Sequence, residues 1–144
     1  MSRTVVLIHD PHENDEWGFR EEKERLHHNP VYRFKIPHPI IIHSWGVRKE
    51  TERPKVDVIF DVTKFVTVFE GTVKDKTGLD KKIQQSIMNH PRFEMLVDCI
   101  LDNIYDAKTI AFVCNHGKHR SVGWAEILKE YYCAEATTKH LDIN

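Results

Sequence analysis

Apolar residues in this chain come in short runs separated by charged stretches of helical spacing. Thr4–His9 (TVVLIH) is a continuous apolar run and predicts a first strand buried on both faces. Asp10, Pro11 and His12 stop it. Asn14–His28 (NDEWGFREEKERLHH) pairs Glu with Lys or Arg at i,i+4 spacing, which predicts an exposed helix anchored by Trp17 or Phe19 and by Leu26. Pro30, Pro37 and Pro39 mark an irregular crossing segment. Ile40–Ser44 (IIIHS) predicts a second strand, which Gly46 ends, and Arg48–Pro54 a charged loop. Val56–Asp61 (VDVIFD) predicts a third strand with Asp61 at its C-terminal end.

Lys64–Lys76 reads either as a hairpin around Glu70-Gly71 or as a loop over a site. Thr77-Gly78-Leu79-Asp80 is a turn, and Asp80 can cap a helix running to about Asn89. Pro91 opens another, in which Phe93, Leu96, Val97, Ile100, Leu101 and Ile104 form an apolar stripe, with Cys99 beside it as a structural residue. Ile110–Val113 is a strand-type run. Gly117 permits a tight turn, Ser121 can cap a helix, and Val122, Ala125, Leu128 and Tyr132 follow near helical spacing. Thr137–Ile143 predicts a last short strand. Strands alternating with helices imply one α/β domain over residues 1–144, with a mostly parallel sheet flanked by helices. Ligands of such sheets sit beyond the carboxyl ends of the strands, where Asp61, Cys114, His43 and Ser44 would gather.

Composition narrows the class. With 21 basic and 22 acidic residues the net charge is -1, which argues against coating nucleic acid by bulk charge. No apolar run approaches the ~20 residues of a membrane span, and the acidic turn after Ile8 does not suit a signal peptide. Cys99, Cys114 and Cys133 form no CxxC, which suits a reduced, cytoplasmic setting. The ten histidines invite a metal reading, but His9, Asp10, His12, Glu13, His27 and His28 match no HExxH or Cys/His zinc spacing. Neither a metal nor a cofactor is expected. His43 and His140 are the histidines placed best for a site.

The chemistry concentrates in CNHGKHRS, Cys114–Ser121. A loop that feeds a strand into a helix N-terminus points backbone N–H groups inward, and the helix dipole favours negative charge there. Lys118 and Arg120 add positive charge, and a guanidinium can fork onto two phosphate oxygens. The expectation is that this turn holds a phosphate or another oxyanion.

Several ordered motifs resemble the C-terminal domain of RapZ, the bacterial RNase adapter family. They are the strand end IIIHSWG (Ile40–Gly46), FDVT (Phe60–Thr63), TGLD (Thr77–Asp80), and CNHGKHRSV (Cys114–Val122) followed by AEIL (Ala125–Leu128). KHLD (Lys139–Asp142) matches a closing His-Arg-Asp element. The likeness spans residues 40–142 and leaves 1–39 as a strand-helix extension. Thr63 stands where the family has Arg, the family's Asn-Pro segment has no counterpart, and Asn115 and His116 replace Thr and Gly. The chain has no GxxxxGK[ST], so the family's nucleotide chemistry does not carry over.

The resemblance implies a ligand-sensing adapter or regulatory module without catalysis. It implies a partner that is a phosphorylated small molecule, such as an amino-sugar phosphate, or an RNA phosphate. A protein partner and a second copy of the chain also fit, and a membrane does not. The ligand residues would be Cys114, Asn115, His116, Gly117, Lys118, His119, Arg120 and Ser121, with Asp61 and Ser44 at the rim. RNA would be met by Lys74, Lys76, Lys81, Lys82 and Lys118.

The same loop also spells C-x5-R-S and resembles that of protein tyrosine phosphatases. Cys114 would then be a nucleophile, since a helix N-terminus and a neighbouring Arg favour the thiolate form of a cysteine. Arg120 would hold the phosphoryl group, Ser121 would assist the leaving thiolate, and Asp61, Asp75 or Asp80 would act as the acid. Val113 stands where phosphatases place His, and His116, Lys118 and His119 are bulky for so tight a loop. Plainer roles exist for each residue. Cys114 can simply close a strand, His119 brace a turn, Asp61 cap a loop, and Trp45 and Trp124 pack.

Overall fold

The structure is a computed structural model that describes residues 4–8, 36, 38–65, 69 and 75–143. The helix expected over 14–28, the early histidine cluster, and most of the segment 64–76 lie outside the described residues. Five strands form one all-parallel sheet in the order β1-β3-β4-β2-β5. They are β1 (Thr4–Leu7), β2 (Ile41–Gly46), β3 (Val58–Asp61), β4 (Thr109–Cys114) and β5 (Thr137–His140). Three helices accompany them among the described residues: α1 (Lys81–Met88), α2 (Phe93–Ile104) and α3 (Arg120–Tyr131). This is the α/β arrangement the alternating pattern implies.

β4 is the middle strand, and its sequence is apolar on both faces. Ile110 to Cys114 are all buried, as a strand covered on two sides requires. On one face Phe112 stacks on Phe60 at a centroid separation of 5.3 Å and on Trp124 of α3 at 6.0 Å. Trp124 also stacks on Phe93 of α2 at 5.4 Å and meets the edge of Phe65 at 5.3 Å. Its indole is therefore the hub of the main core, which also takes the α2 stripe from Phe93 to Ile104. The other face carries a smaller cluster of Val56, Ile59, Ala111 and Val113, with Trp45 against it.

Three expectations are corrected. β1 is not buried on both faces: it is an edge strand, and Val5 is 51% exposed while Val6 is buried. The last strand stops at His140 and does not reach Ile143. Ser121 does not cap α3. The helix begins at Arg120 with His119 at the cap position, and Ser121 lies within the first turn. Asp80, by contrast, caps α1 as expected by accepting from the N–H groups of Lys82 and Ile83.

Parallel pairing puts the carboxyl ends of all strands at one edge of the sheet. Asp61 is level with Val113, and Gly46 is level with Cys114. The segments that follow keep pairing beyond the strands. Val47 N–H donates to Cys114 O at 2.9 Å, Arg48 N–H to Asn115 O at 2.9 Å, and Val62 N–H to Val113 O at 2.9 Å. The loop after β4 is thus held from both sides before it turns.

Candidate functional site: the loop between β4 and α3

Gly117 makes the turn, with φ at +70°. That left-handed conformation is costly for any residue with a Cβ. Space is a second restriction: a Cβ on Gly117 would lie 2.5 Å from the Gly46 backbone nitrogen, and one on Gly46 would lie 2.4 Å from the His116 carbonyl carbon. The two glycines let the end of β2 lie directly against the loop.

Cys114 sits beneath this turn. Gly117 N–H donates to its Sγ at 3.2 Å, and Sγ lies 3.1 Å from Ser121 Oγ. The thiol of Cys114 donates to the Ser121 oxygen, and Ser121 does not cap the helix because it lies one residue inside its start. Cys114 and Ser121 are both buried, and none of the three cysteines is in a disulfide. Burial pushes the thiol of Cys133 up to about 12, so it stays neutral.

Arg120 reaches across to the segment that follows β3. Its Nη1 donates to Thr63 O at 2.7 Å, Phe65 O at 3.2 Å and Val62 O at 3.4 Å. None of its hydrogen bonds to described residues uses Nε or Nη2. One edge of the guanidinium thus ties the loops together. Asp61 is occupied locally, its Oδ1 accepting the Thr63 N–H at 2.9 Å. The side chains of Asn115, Lys118, His119 and Arg120 are half-buried and that of His116 is exposed. His119 faces Phe69, with ring centroids 6.1 Å apart. The first-turn N–H groups of Arg120, Ser121 and Val122 have no carbonyl of their own helix to meet.

The Thr77–Asp80 turn braces the loop from a third side. Gly78 N–H donates to Lys118 O at 2.8 Å. A Cβ on Gly78 would fall 2.1 Å from Gly123 N and 2.5 Å from His119 O, so only glycine lets this turn rest on the start of α3. Gln84 Nε2 then holds Gly78 O at 2.8 Å.

The end of β5 closes the fourth side. Ser44 Oγ and His140 Nδ1 are 2.7 Å apart, and His140 Nε2 and Glu126 Oε2 are 2.7 Å apart. A carboxylate only accepts, so Nε2–H donates to Glu126 and, in the neutral ring, Nδ1 accepts from Ser44. Ser44 is wholly buried in this chain of bonds, beneath the sheet edge and away from any rim. His43, the other histidine singled out, lies mid-strand with Nδ1 3.3 Å from Ile110 O. Asp142 Oδ2 accepts the Gly46 N–H at 2.8 Å, and its Oδ1 accepts the Thr51 hydroxyl. Among the described residues no three His, Cys, Asp or Glu side chains are grouped to hold a metal.

Four sequence elements therefore converge on one turn: the SWG strand end, the FDV strand end, the TGLD turn and the KHLD segment. A comparison with known families matches residues 38–144 to the RapZ C-terminal domain. The chain belongs to the RapZ C-terminal domain family. Membership makes it an adapter or regulatory type of domain and fits protein partners. No described helix of this RapZ-type domain is long and apolar enough to cross a membrane.

Each RapZ-like motif now has a physical task. The glycines of SWG and TG remove atoms where backbones touch, and Asp80 of TGLD caps α1. The Asp of FDV folds the turn whose carbonyls Arg120 collects. Residue-type reasoning missed Glu126, Thr51 and the carbonyls of Val62, Thr63 and Phe65. Only Glu126, six residues beyond Arg120 on α3, had a visible signal: it shares a charged helical position with Glu130.

Proposed function

We propose that the loop from Cys114 to Ser121 binds the phosphoryl group of a small phosphorylated molecule, and that binding serves a regulatory, adapter-type role without turnover. The observation that carries this reading is the state of Arg120. Nη1 fixes the guanidinium to three carbonyls, no hydrogen bond to a described residue uses Nε or Nη2, and Arg120 is the residue that opens α3. A guanidinium held still on the residue that opens a helix would be pre-organised to offer its second edge to two oxygens of an anion at that N-terminus. Asn115, His116, Gly117, Lys118 and His119 would form the remaining wall. Asp61 and Ser44 contribute by shaping the site, since both are engaged in internal hydrogen bonds.

RNA phosphate is the weaker partner. Lys81 is paired with Glu130 at 3.0 Å and Lys76 lies 3.9 Å from Asp80, so two of the five lysines already have acidic neighbours. The pairing of β1 in the same sheet supports residues 1–39 as an extension of one domain with 40–142. Three cysteines outside any disulfide fit a reducing, cytoplasmic setting.

A cysteine phosphatase has one observation in its favour, the 3.1 Å contact of Ser121 Oγ with Cys114 Sγ. Against it, Cys114 is only 4% exposed. Incubation with p-nitrophenyl phosphate, beside calorimetric titration with inorganic phosphate, separates the two. The adapter reading expects no turnover and phosphate binding that survives Cys114→Ser and disappears in Arg120→Ala. Turnover abolished by Cys114→Ser would replace it with the enzyme.

A further inference from the structure

We propose that Asp142 is a positioning residue, a latch that sets the shape of the Gly117 turn from the far end of the chain. Three observations meet at this side chain. Oδ2 accepts the Gly46 N–H at 2.8 Å, Oδ1 accepts the Thr51 hydroxyl, and a Cβ on Gly117 would meet Asp142 Cβ at 3.0 Å. Gly46 is the residue whose backbone lies against His116 and Gly117. Fixing its N–H therefore fixes the surface on which the loop rests.

Thr51 extends the latch. Its carbonyl accepts from Trp45 Nε1 at 3.1 Å, and Arg48, between these two, donates its N–H to Asn115 O at 2.9 Å. One carboxylate thus holds the end of β2, the turn that follows it, and through both the start of the 115–119 loop. His140 anchors the latch to the body of the fold. It sits two residues before Asp142, tied to Ser44 and Glu126, so β5 cannot slide without breaking those bonds.

A carboxylate beside an anion loop is electrostatically unfavourable for the anion, and its retention there needs a compensating task. Charge-assisted acceptance from two donors supplies one. Asparagine can copy the geometry: its oxygen accepts the Gly46 N–H and its amide N–H donates to the Thr51 oxygen. It does so without the negative charge. The geometric and electrostatic parts of the role are therefore separable. The latch itself is a property of the fold, and only its consequence for binding rests on the phosphate reading above.

The test is amide hydrogen exchange followed by NMR on the full chain, as wild type, Asp142→Asn, Asp142→Ala and Thr51→Val, and then titration of each with inorganic phosphate. Asp142→Ala is expected to speed exchange at Gly117 and Lys118 at least tenfold while β3 and α2 keep their rates. Asp142→Asn is expected to restore wild-type exchange, and Thr51→Val to fall between. Phosphate affinity is expected to drop at least tenfold in Asp142→Ala and to equal or exceed wild type in Asp142→Asn. Loop exchange unchanged in Asp142→Ala, or accelerated equally in β3 and α2, overturns the latch. Should Asp142→Ala not fold, an unchanged loop in Thr51→Val does the same. If wild type takes no phosphate at all, the binding proposal fails while the exchange rates still decide the latch.

Discussion

Arg120 Nη1 donates to the carbonyl oxygen of Thr63 at 2.7 Å, joining the first residue of α3 to the turn after β3. The residue with the strongest claim on an anion is thus also a cross-brace. Removing it should have two separable effects. Arg120→Ala leaves three carbonyls without their donor and should cost about 1–3 kcal/mol in urea unfolding, with an unchanged m value. Arg120→Lys keeps a cation near those carbonyls and should lose less stability, yet it lacks the fork and should lose phosphate binding nearly as fully as alanine. Equal binding by the lysine variant would mean that point charge alone is what the loop supplies.

The Gly117 turn should tolerate no side chain. At φ +70° a Cβ costs roughly 1–2 kcal/mol before any clash. The 2.5 Å approach to Gly46 N adds a contact that only backbone movement relieves. Gly117→Ala should therefore lower stability by about 2 kcal/mol or more and shift the Gly46 amide resonance. Gly78→Ala, 2.1 Å from Gly123 N, should be at least as damaging and should disturb the start of α3. A silent Gly78→Ala would show that the TGLD turn does not rest on that helix.

The strand-turn-helix from Thr109 to Tyr131 was legible because its apolar pattern changes period abruptly at a glycine. The α2 stripe is legible because its apolar residues keep helical spacing after Pro91, and all six of them are buried. What escaped is set by tertiary placement. Val5 and Ile110 belong to similar apolar runs, yet one lies on an edge strand and the other on the central one. No local pattern says which. The residue type of Ser121 suits a cap, but the helix starts one residue earlier and its oxygen accepts from the Cys114 thiol 3.1 Å away. The partners of Arg120 are main-chain carbonyls of Val62, Thr63 and Phe65, whose side chains advertise nothing. The Ser44–His140 bond spans 96 positions and joins neighbouring strands whose order the sequence does not state.

That bond should be worth measuring. His140→Ala strands the wholly buried Ser44 hydroxyl and removes the partner of Glu126. A cost of about 1–3 kcal/mol is expected from the unsatisfied group. Ser44→Ala placed on top should return part of it, since the orphaned hydroxyl is then gone. Strict additivity of the two substitutions would contradict the hydrogen bond.

Asp57 gives the fold an acid-sensitive point far from the loop. The N–H groups of Lys108 and Thr109 bond its Oδ2 at 2.9 and 3.2 Å and hold its carboxyl below the usual range. A carboxyl depressed in the folded state stabilises above its unfolded value, near ~3.9, and that contribution fades as pH falls through the folded one. Asp57→Ala should cost on the order of 1 kcal/mol at pH 7, toward the low end because the group meets solvent. The gap between variant and wild-type urea midpoints should narrow as pH falls below the unfolded value. A gap that widens in acid would reverse the sign of the argument.

The central claim is that backbone amides and one edge of Arg120 converge on a single anion. It is tested most directly by titrating the isotope-labelled full chain with inorganic phosphate and following its amide and guanidinium resonances. The account predicts saturable shifts confined to residues 115–121, with the Arg120 Nε resonance among the largest, and their loss in Arg120→Ala. Shifts that never saturate, or that gather on a surface away from Gly117, would contradict it.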